Sequence, residues 1–436
     1  TQRVLFPGAI VMYKGRMIST NLLENKVGYD QYQILNNSMV LVEYKLANAI
    51  QKLQQTHPPV VAFSNGHGEL GQEQVAEVIV DLQSEQFAVS TIDLSVGYVI
   101  DSVVDVLVVA KPTMPFSEKE KYKIDQYLMR GGKILWLIDQ INVDMDSLQG
   151  KDFYMAESRD LNIDDMLFQY GVRINDDLIL DLQNTRLEVQ TGMLNNQAQT
   201  QWFNWPYFNL MLGNNKHPIS RNLAPIAGQF SSTLDTIKSA NIKKEILLSS
   251  SNYSKALFAP ARVFIGIVKD PMDPSLFTQK ELPTAVALSG EFPSIFRNRA
   301  FTGAYAAMID TVEGLKFRES SVSNAKMIVV SDGDLIANQV RKGKQLPIGY
   351  AVYGNNNDAM VFDNKPFFIN SIEYLIDANN LIETRNKVVK LRQLDAIKVK
   401  ENRNSIQLNT MIFPILILTL FGLIFTFLRR RKYSST

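Results

Sequence analysis

The sequence predicts an α/β body, an open and mostly parallel sheet with helices on both faces, tethered by one C-terminal membrane span. Three observations carry this. From Val60 onward short apolar runs alternate with segments of helical periodicity, the pattern of strands joined by crossover helices. One unit, residues 105–138, is fully punctuated as strand, loop, capped helix, glycine stop and strand. Finally, Met411 to Leu428 carries no charged residue, and at about 1.5 Å per residue it rises close to the hydrocarbon thickness of a bilayer.

In chain order, residues 1–56 read as a hairpin and a helix, the remainder of a longer N-terminal region packed beside the main domain. Arg3 to Leu23 alternates about Lys14-Gly15, with Ile10, Met12 and Tyr13 on one arm and Met17 and Ile18 on the other. Asn37-Ser38 offers N-cap chemistry for a helix with Val42, Leu46, Ile50 and Leu53 about a turn apart, and His57-Pro58-Pro59 ends it. The α/β domain spans 57–384. Val60 to Phe63 is its first strand, Val75, Val78, Ile79 and Leu82 the inward stripe of its first helix, and Ala88 to Leu94 and Asp105 to Ala110 the next strands. Few residues separate the last two, which leaves their order in the sheet open. Ser117 to Glu120 is a capping box, Ile124, Tyr127 and Leu128 face inward, Gly131-Gly132 stops the helix, and Lys133 to Ile138 is a buried strand. Further strands are expected at Leu178 to Leu182, Arg186 to Gln190, Arg262 to Val268, Thr284 to Leu288 and Lys326 to Val330. A helix over Pro366 to Asp377 turns Phe368, Ile372 and Leu375 inward. Trp202, Phe203, Trp205, Tyr207 and Phe208 form the densest aromatic cluster, either a satellite core or a surface on which a sugar or a partner stacks.

Residues 385–410 alternate charges with Val389, Leu391, Leu394 and Ile397 and read as a helical stalk, 411–428 as the span and 429–436 as a basic tail. Arg429-Arg430-Arg431-Lys432 is the positive-inside signal of a cytoplasmic tail, against the thinner set Lys398, Lys400 and Arg403 in front. The body is then expected outside the cytoplasm, exported by a segment ahead of Thr1. Within the span, Pro414 frees a backbone carbonyl and Gly422 admits close approach, so both point to a face packed on a protein neighbour. The whole chain has 45 basic and 44 acidic residues; with four of the cations in the tail, no basic face remains for nucleic acid. Cysteine is absent, which removes disulfides, thiol catalysis and thiolate metal sites.

The candidate site lies at the carboxyl edge of the predicted sheet, where open α/β folds bind ligands. Asn65, His67 and Glu69 leave the first strand in a loop whose Gly66 and Gly68 let backbone amides approach a ligand. Lys111 and Asp139 leave later strands at the same edge, as do Asp332 and Asp334. The alternative is a tight turn with ordinary loop polar groups, which cost little stability when substituted unless they are buried. His57 and His217 each precede a proline and read as turn residues. No metal-ligand spacing, G-x-S-x-G or P-loop motif is present.

The GHGEL loop at 66–70, the stretch AKPTMPFSEKEKYKIDQYLMRGGKILWLID at 110–139, the HPI at 217–219 and the basic tail resemble the GldG family of gliding-motility proteins. The resemblance runs over nearly the whole chain and is most specific in 110–139. It implies a membrane-anchored accessory component of an ABC transporter in gliding bacteria of the Bacteroidetes group. ATP hydrolysis and the permease would lie in separate subunits, with the body in the periplasm and the anchor in the inner membrane. It also implies an α/β region similar to a domain of an intraflagellar-transport subunit and related to glutamine-amidotransferase-like and flavodoxin-like folds. The amidotransferase nucleophile is a cysteine, which this chain lacks. The expectation is therefore a non-catalytic subunit without cofactor; the alternative is an envelope module that binds a small solute or glycan at the sheet edge.

Overall fold

Lys14 and Gly15 both take positive φ, 48° and 79°, the two-residue turn whose twist suits a hairpin. It joins β1 (Gly8–Tyr13) to β2 (Arg16–Asn21). The computed structural model describes residues 7–433 apart from 25–29, 152, 195–196, 240, 270–271, 300–315, 342–343 and 387–401, in two units, Thr1–Val388 and Val389–Thr436. Helix α1 (Gln31–Gln54) starts well before the expected Asn37-Ser38 cap. Asp30 and Gln33 form a reciprocal capping box there, satisfying two backbone donors at once. Ser38 lies inside the helix, its hydroxyl donating to Ile34 O. Its inward face is Leu41, Tyr44, Ala49 and Leu53, and Ile50 is exposed.

The body is organised by a 12-stranded mixed sheet. Its parallel run comprises β3 (Val60–Asn65), β4 (Ala88–Asp93), β5 (Val104–Ala110) and β6 (Lys133–Leu137). Helices α2 (Ala76–Ser84), α3 (Glu118–Met129) and α4 (Asp164–Tyr170) lie between or after these strands. The sheet continues with β7 (Asn184–Leu194), β8 (Gln197–Gly213), β9 (Ile242–Ser249), β10 (Pro283–Gly290), β11 (Ala325–Val330), β12 (Tyr350–Tyr353) and β13 (Asp358–Val361). The order is β13-β12-β7-β8-β9-β10-β11-β6-β5-β3-β4, with Ile226–Ala227 added beside β8. From β4 to β11 the neighbours are parallel; from β10 outward they are antiparallel. This antiparallel extension is what the expectation of a mostly parallel sheet did not contain.

Both faces are covered. On one, α2 and α5 (Asn364–Ile376) pack Val78, Leu82, Phe368 and Ile372 on Val61, Val106, Leu135 and Ile328. On the other, α3 and α4 pack Ile124, Leu128, Met166 and Tyr170 on Leu107, Val109, Trp136 and Val329. The capping box of α3 is present, with Ser117 accepting from Glu120 N, and Gly131 at φ 97° ends the helix. Adjacent residues, such as Val106 and Leu107 or Leu135 and Trp136, point to opposite faces, so one strand feeds both cores. Residues 262–268 depart from the expected strand: Ala261–Val263 gives way to a 3-10 turn, Ile265–Lys269, because an unalternating apolar run does not by itself choose strand over helix.

In the second unit, α6 (Arg403–Tyr433) is one continuous helix that includes 403–410 of the expected stalk and the whole of 411–428. Residues 387–401 of that stalk lie outside the described residues. The hydroxyls of Thr419 and Thr426 bond back to Ile415 O and Gly422 O, which removes their cost in an apolar medium. The helix is long and apolar enough to cross a membrane.

Candidate functional site

Strands β4 and β5 flank β3 on opposite sides, so the sheet has a topological switch point where the chain leaves β3 and β5. His67 follows β3 there. Gly68, at φ 69°, is required, since a Cβ on it would lie 2.1 Å from Thr113 Oγ1. The backbone N–H groups of Thr113 and Met114 donate to His67 O at 2.7 and 2.9 Å, closing the β5 loop over it. The imidazole stacks on Phe116, ring centroids 4.0 Å apart, and Phe116 meets Trp136 edge-on. His67 Nε2 is 3.2 Å from Glu120 Oε2 and Nδ1 is 3.5 Å from Glu69 Oε1. Burial alone would push the imidazole pKa down; its contacts to Glu69 and Glu120 outweigh that and raise it. His67 is 3% exposed. The crevice is thus filled by the chain's own side chains.

A second group lies at the ends of β5, β6 and β11. Lys111 has φ 55°, a conformation disfavoured for a side chain that must be held by its surroundings. Its Nζ is 2.6 Å from Asp334 Oδ2 and 3.2 Å from Asp139 Oδ2. Asp139 also accepts from Gly333 N, and a Cβ at Gly333 would come within 2.8 Å of Lys111 Cγ. Asp332 Oδ2 accepts from Gln229 N at 2.8 Å and its Oδ1 from Asp334 N at 3.0 Å. Burial raises the Asp139 pKa to about 6, opposed by Lys111 and reinforced by Asp334. Asp332, without exposed surface, is raised well above the carboxylate range by burial and then by Asp139 and Asp334. Burial pushes the Lys111 pKa down, but the two carboxylates outweigh it and hold the ammonium charged.

The sheet edge therefore unites Lys111, Asp139, Asp332 and Asp334 in one cluster and His67 with Glu69 in another. Asn65 belongs to neither; it is exposed and its Oδ1 accepts from Gly66 N. Glu120 is the partner that sequence reasoning assigned to helix capping alone, and its second role depends on a fold contact with no sequence signal. His57 is exposed in its loop. His217 is buried, Nδ1 accepting from Ile219 N, and burial lowers its pKa to about 4. Both clusters are internally paired: the Lys111 ammonium, held charged between two carboxylates, has no lone pair to attack with, and His67 lies between Glu69 and Glu120.

The aromatic cluster divides. The β7–β8 register slips between Arg186↔Asn204 and Asn184↔Asn209, around Pro206, which has no N–H for the ladder. Trp205 and Tyr207 are buried there as a satellite core with Phe230. Phe208 packs edge-on against Phe230 at the margin of that core and, with Trp202, lines a cleft of about 630 Å³ that Asp334 also borders.

A mixed α/β body and a helix able to span a membrane define the class of protein. The chain belongs to the family described as ABC-type uncharacterized transport system, an auxiliary component of such systems, whose model matches residues 58–371. No curated protein matches. Among solved structures, the mmIFT52 N-terminal domain is 14% identical with a TM-score of 0.40, covering 73% of this chain and 98% of that one. The exo-beta-1,4-mannosidase Op5Man5 from Opitutaceae bacterium strain TAV5 is 12% identical with a TM-score of 0.27, covering 69% and 35%.

Proposed function

We propose that this chain is a non-catalytic, membrane-anchored auxiliary subunit of an ABC transporter, recruiting a separate ATPase and permease. Its body would lie in the periplasm, its tail in the cytoplasm, and the transporter would serve gliding motility. The carrying observation is the family match over 58–371 in the same chain as an apolar helix long enough to span a membrane. The self-compensated sheet edge supports a non-catalytic role, since its lysine is engaged by two carboxylates. The GldG resemblance of 110–139 and the basic cluster behind the span support the finer assignments.

Two measurements test this. The full chain, tagged after Thr436 and extracted from native membranes, should bring down an ATPase and a polytopic permease. Recovery alone under conditions that keep other transporters intact would remove the subunit reading. In intact spheroplasts, added protease should digest the body and spare the tag; a protected body would reverse the orientation.

A further inference from the structure

On the side of β7 away from β8, β12 stands in register only at Arg186↔Val352. Among the described residues that edge carries no strand from Leu187 onward. Its regular stretch ends at Thr191, where the β7–β8 ladder slips between Gln190 and Gly192. Leu187 to Gln190 is therefore an open edge, about 13 Å long, whose outward backbone N–H and C=O groups have no strand partner. Thr185 to Glu188 and, across from them, Gly349 to Val352 line the cleft of about 630 Å³. The open edge thus begins inside the cleft, where β12 parts from β7.

Arg186 marks the closed end of this edge. Its Nη1 and Nη2 donate to Asn357 and Asn355 Oδ1 at 2.6 and 3.2 Å, both neutral acceptors, and its buried Nε has no hydrogen-bond partner. Among the described residues no carboxylate pairs with the guanidinium, so its charge is uncompensated. A strand added to β7 has to stop at Arg186, because Val352 holds the next place in the sheet. Run parallel to β7, it would bring an N-terminal ammonium there, against a like charge. Run antiparallel, as the neighbouring strands of this half of the sheet do, it brings a C-terminal carboxylate. We propose that this edge binds the extended C-terminal segment of a partner protein, added antiparallel to Leu187–Gln190 with its terminal carboxylate on Arg186. Glu188 keeps its bond from Thr200, and Trp202 its own contacts, since main chain and terminus carry the binding. The proposal rests on the body alone and stands or falls apart from recruitment of an ATPase.

The test uses the full chain in detergent and the probe peptide acetyl-Ser-Thr-Val-Thr-Val, chosen for strand propensity alone. It is compared as the free acid, as the C-terminal amide, and as a free acid N-methylated along its backbone, which cannot donate to a ladder. Trp202 lines the cleft, and Trp136 and Trp205 have no exposed surface, so tryptophan emission reports binding there, with calorimetry beside it. The free acid should bind saturably with Kd below about 1 mM. The amide should bind roughly fivefold or more weakly, as expected for loss of a charge-assisted contact, and the N-methylated acid should not bind. Arg186→Gln, with far-UV circular dichroism unchanged, should make acid and amide bind alike; the acid–amide comparison on the unaltered chain needs no variant to fold. No saturable response to the free acid up to about 10 mM overturns the proposal. So does equal binding of acid and amide to the unaltered chain, or a preference for the acid that survives Arg186→Gln. Undiminished binding of the N-methylated acid also overturns it, leaving a carboxylate contact without strand addition.

Discussion

Asp332 has no exposed surface, and Asp139 and Asp334 both act to raise its pKa. From sequence it read as a loop group whose loss is cheap unless buried; burial reverses that. Between the ordinary aspartate pKa and the raised folded one, the native state holds the proton more tightly than the unfolded chain, so stability falls as pH rises through that window. Asp332→Asn keeps an oxygen for one of the Gln229 and Asp334 N–H groups, sets its amide nitrogen against the other, and removes the titration. It should flatten the decline in Tm above about pH 4. Asp332→Ala leaves both donors unpaired and should cost about 1–3 kcal/mol by denaturant melts. His67 has a linkage of the same sign, set at a higher pH. Its raised pKa gives stability that is full below about pH 6.5 and is lost as pH rises through the folded value. Glu69 and Glu120, lowered despite burial by their hydrogen bonds, lose their contribution only as pH falls below the usual glutamate range. The Tm gap between the wild type and His67→Ala should therefore be widest at mildly acid pH and narrow toward both sides. A gap independent of pH would show that the stack on Phe116 alone accounts for the role of His67.

At the scale of elements, α3 was the most legible part of the chain because its signals are local: cap, stripe and glycine stop lie within one stretch. The same locality hid a second function. Glu120 completes the cap through Ser117 and also faces His67 Nε2, a contact made by the β3 loop coming from far along the chain. Ser117→Ala should cost about 1 kcal/mol, the usual value of a cap. Glu120→Ala should cost more, and a double-mutant cycle with His67→Ala should be non-additive by about 0.5–3 kcal/mol; strict additivity would mean that Glu120 only caps. Other elements were legible in kind and not in placement. The start of α1 was misplaced because Asn37-Ser38 is good cap chemistry in isolation, while Asp30 and Gln33 satisfy two donors reciprocally. The parallel run could be read from its strand and helix alternation. The antiparallel half, with few helices between its strands, left no such period to follow. The candidate edge was likewise legible as a location, since strands β3, β5, β6 and β11 each end in a polar loop. What closes it was not, because Phe116 reaches His67 only once β3 and β5 are neighbours.

For the molecule as a whole, the question is whether α6 merely anchors the body or also docks on a partner. Lipid alone would accept plain leucine along the span, yet Pro414 lies inside the helix, and Gly422 and Thr426 stand one turn apart. Among the described residues, a Cβ built at Gly422 meets no atom within 4 Å, so no neighbour within the helix's own unit requires glycine there. The hydroxyl of Thr426 is already engaged with Gly422 O, which leaves a shallow, small-residue surface suited to close approach by another helix. A larger side chain at Gly422 would hold such a neighbour away while suiting lipid equally well, because leucine favours both helix and hydrocarbon. Gly422→Leu should therefore insert normally, as judged by carbonate-resistant membrane recovery, and lose permease and ATPase in a detergent pull-down. Gly422→Ala, which adds a single methyl, should lose less. Full recovery with the leucine variant would move the docking contact off this face of α6 and leave the helix as an anchor.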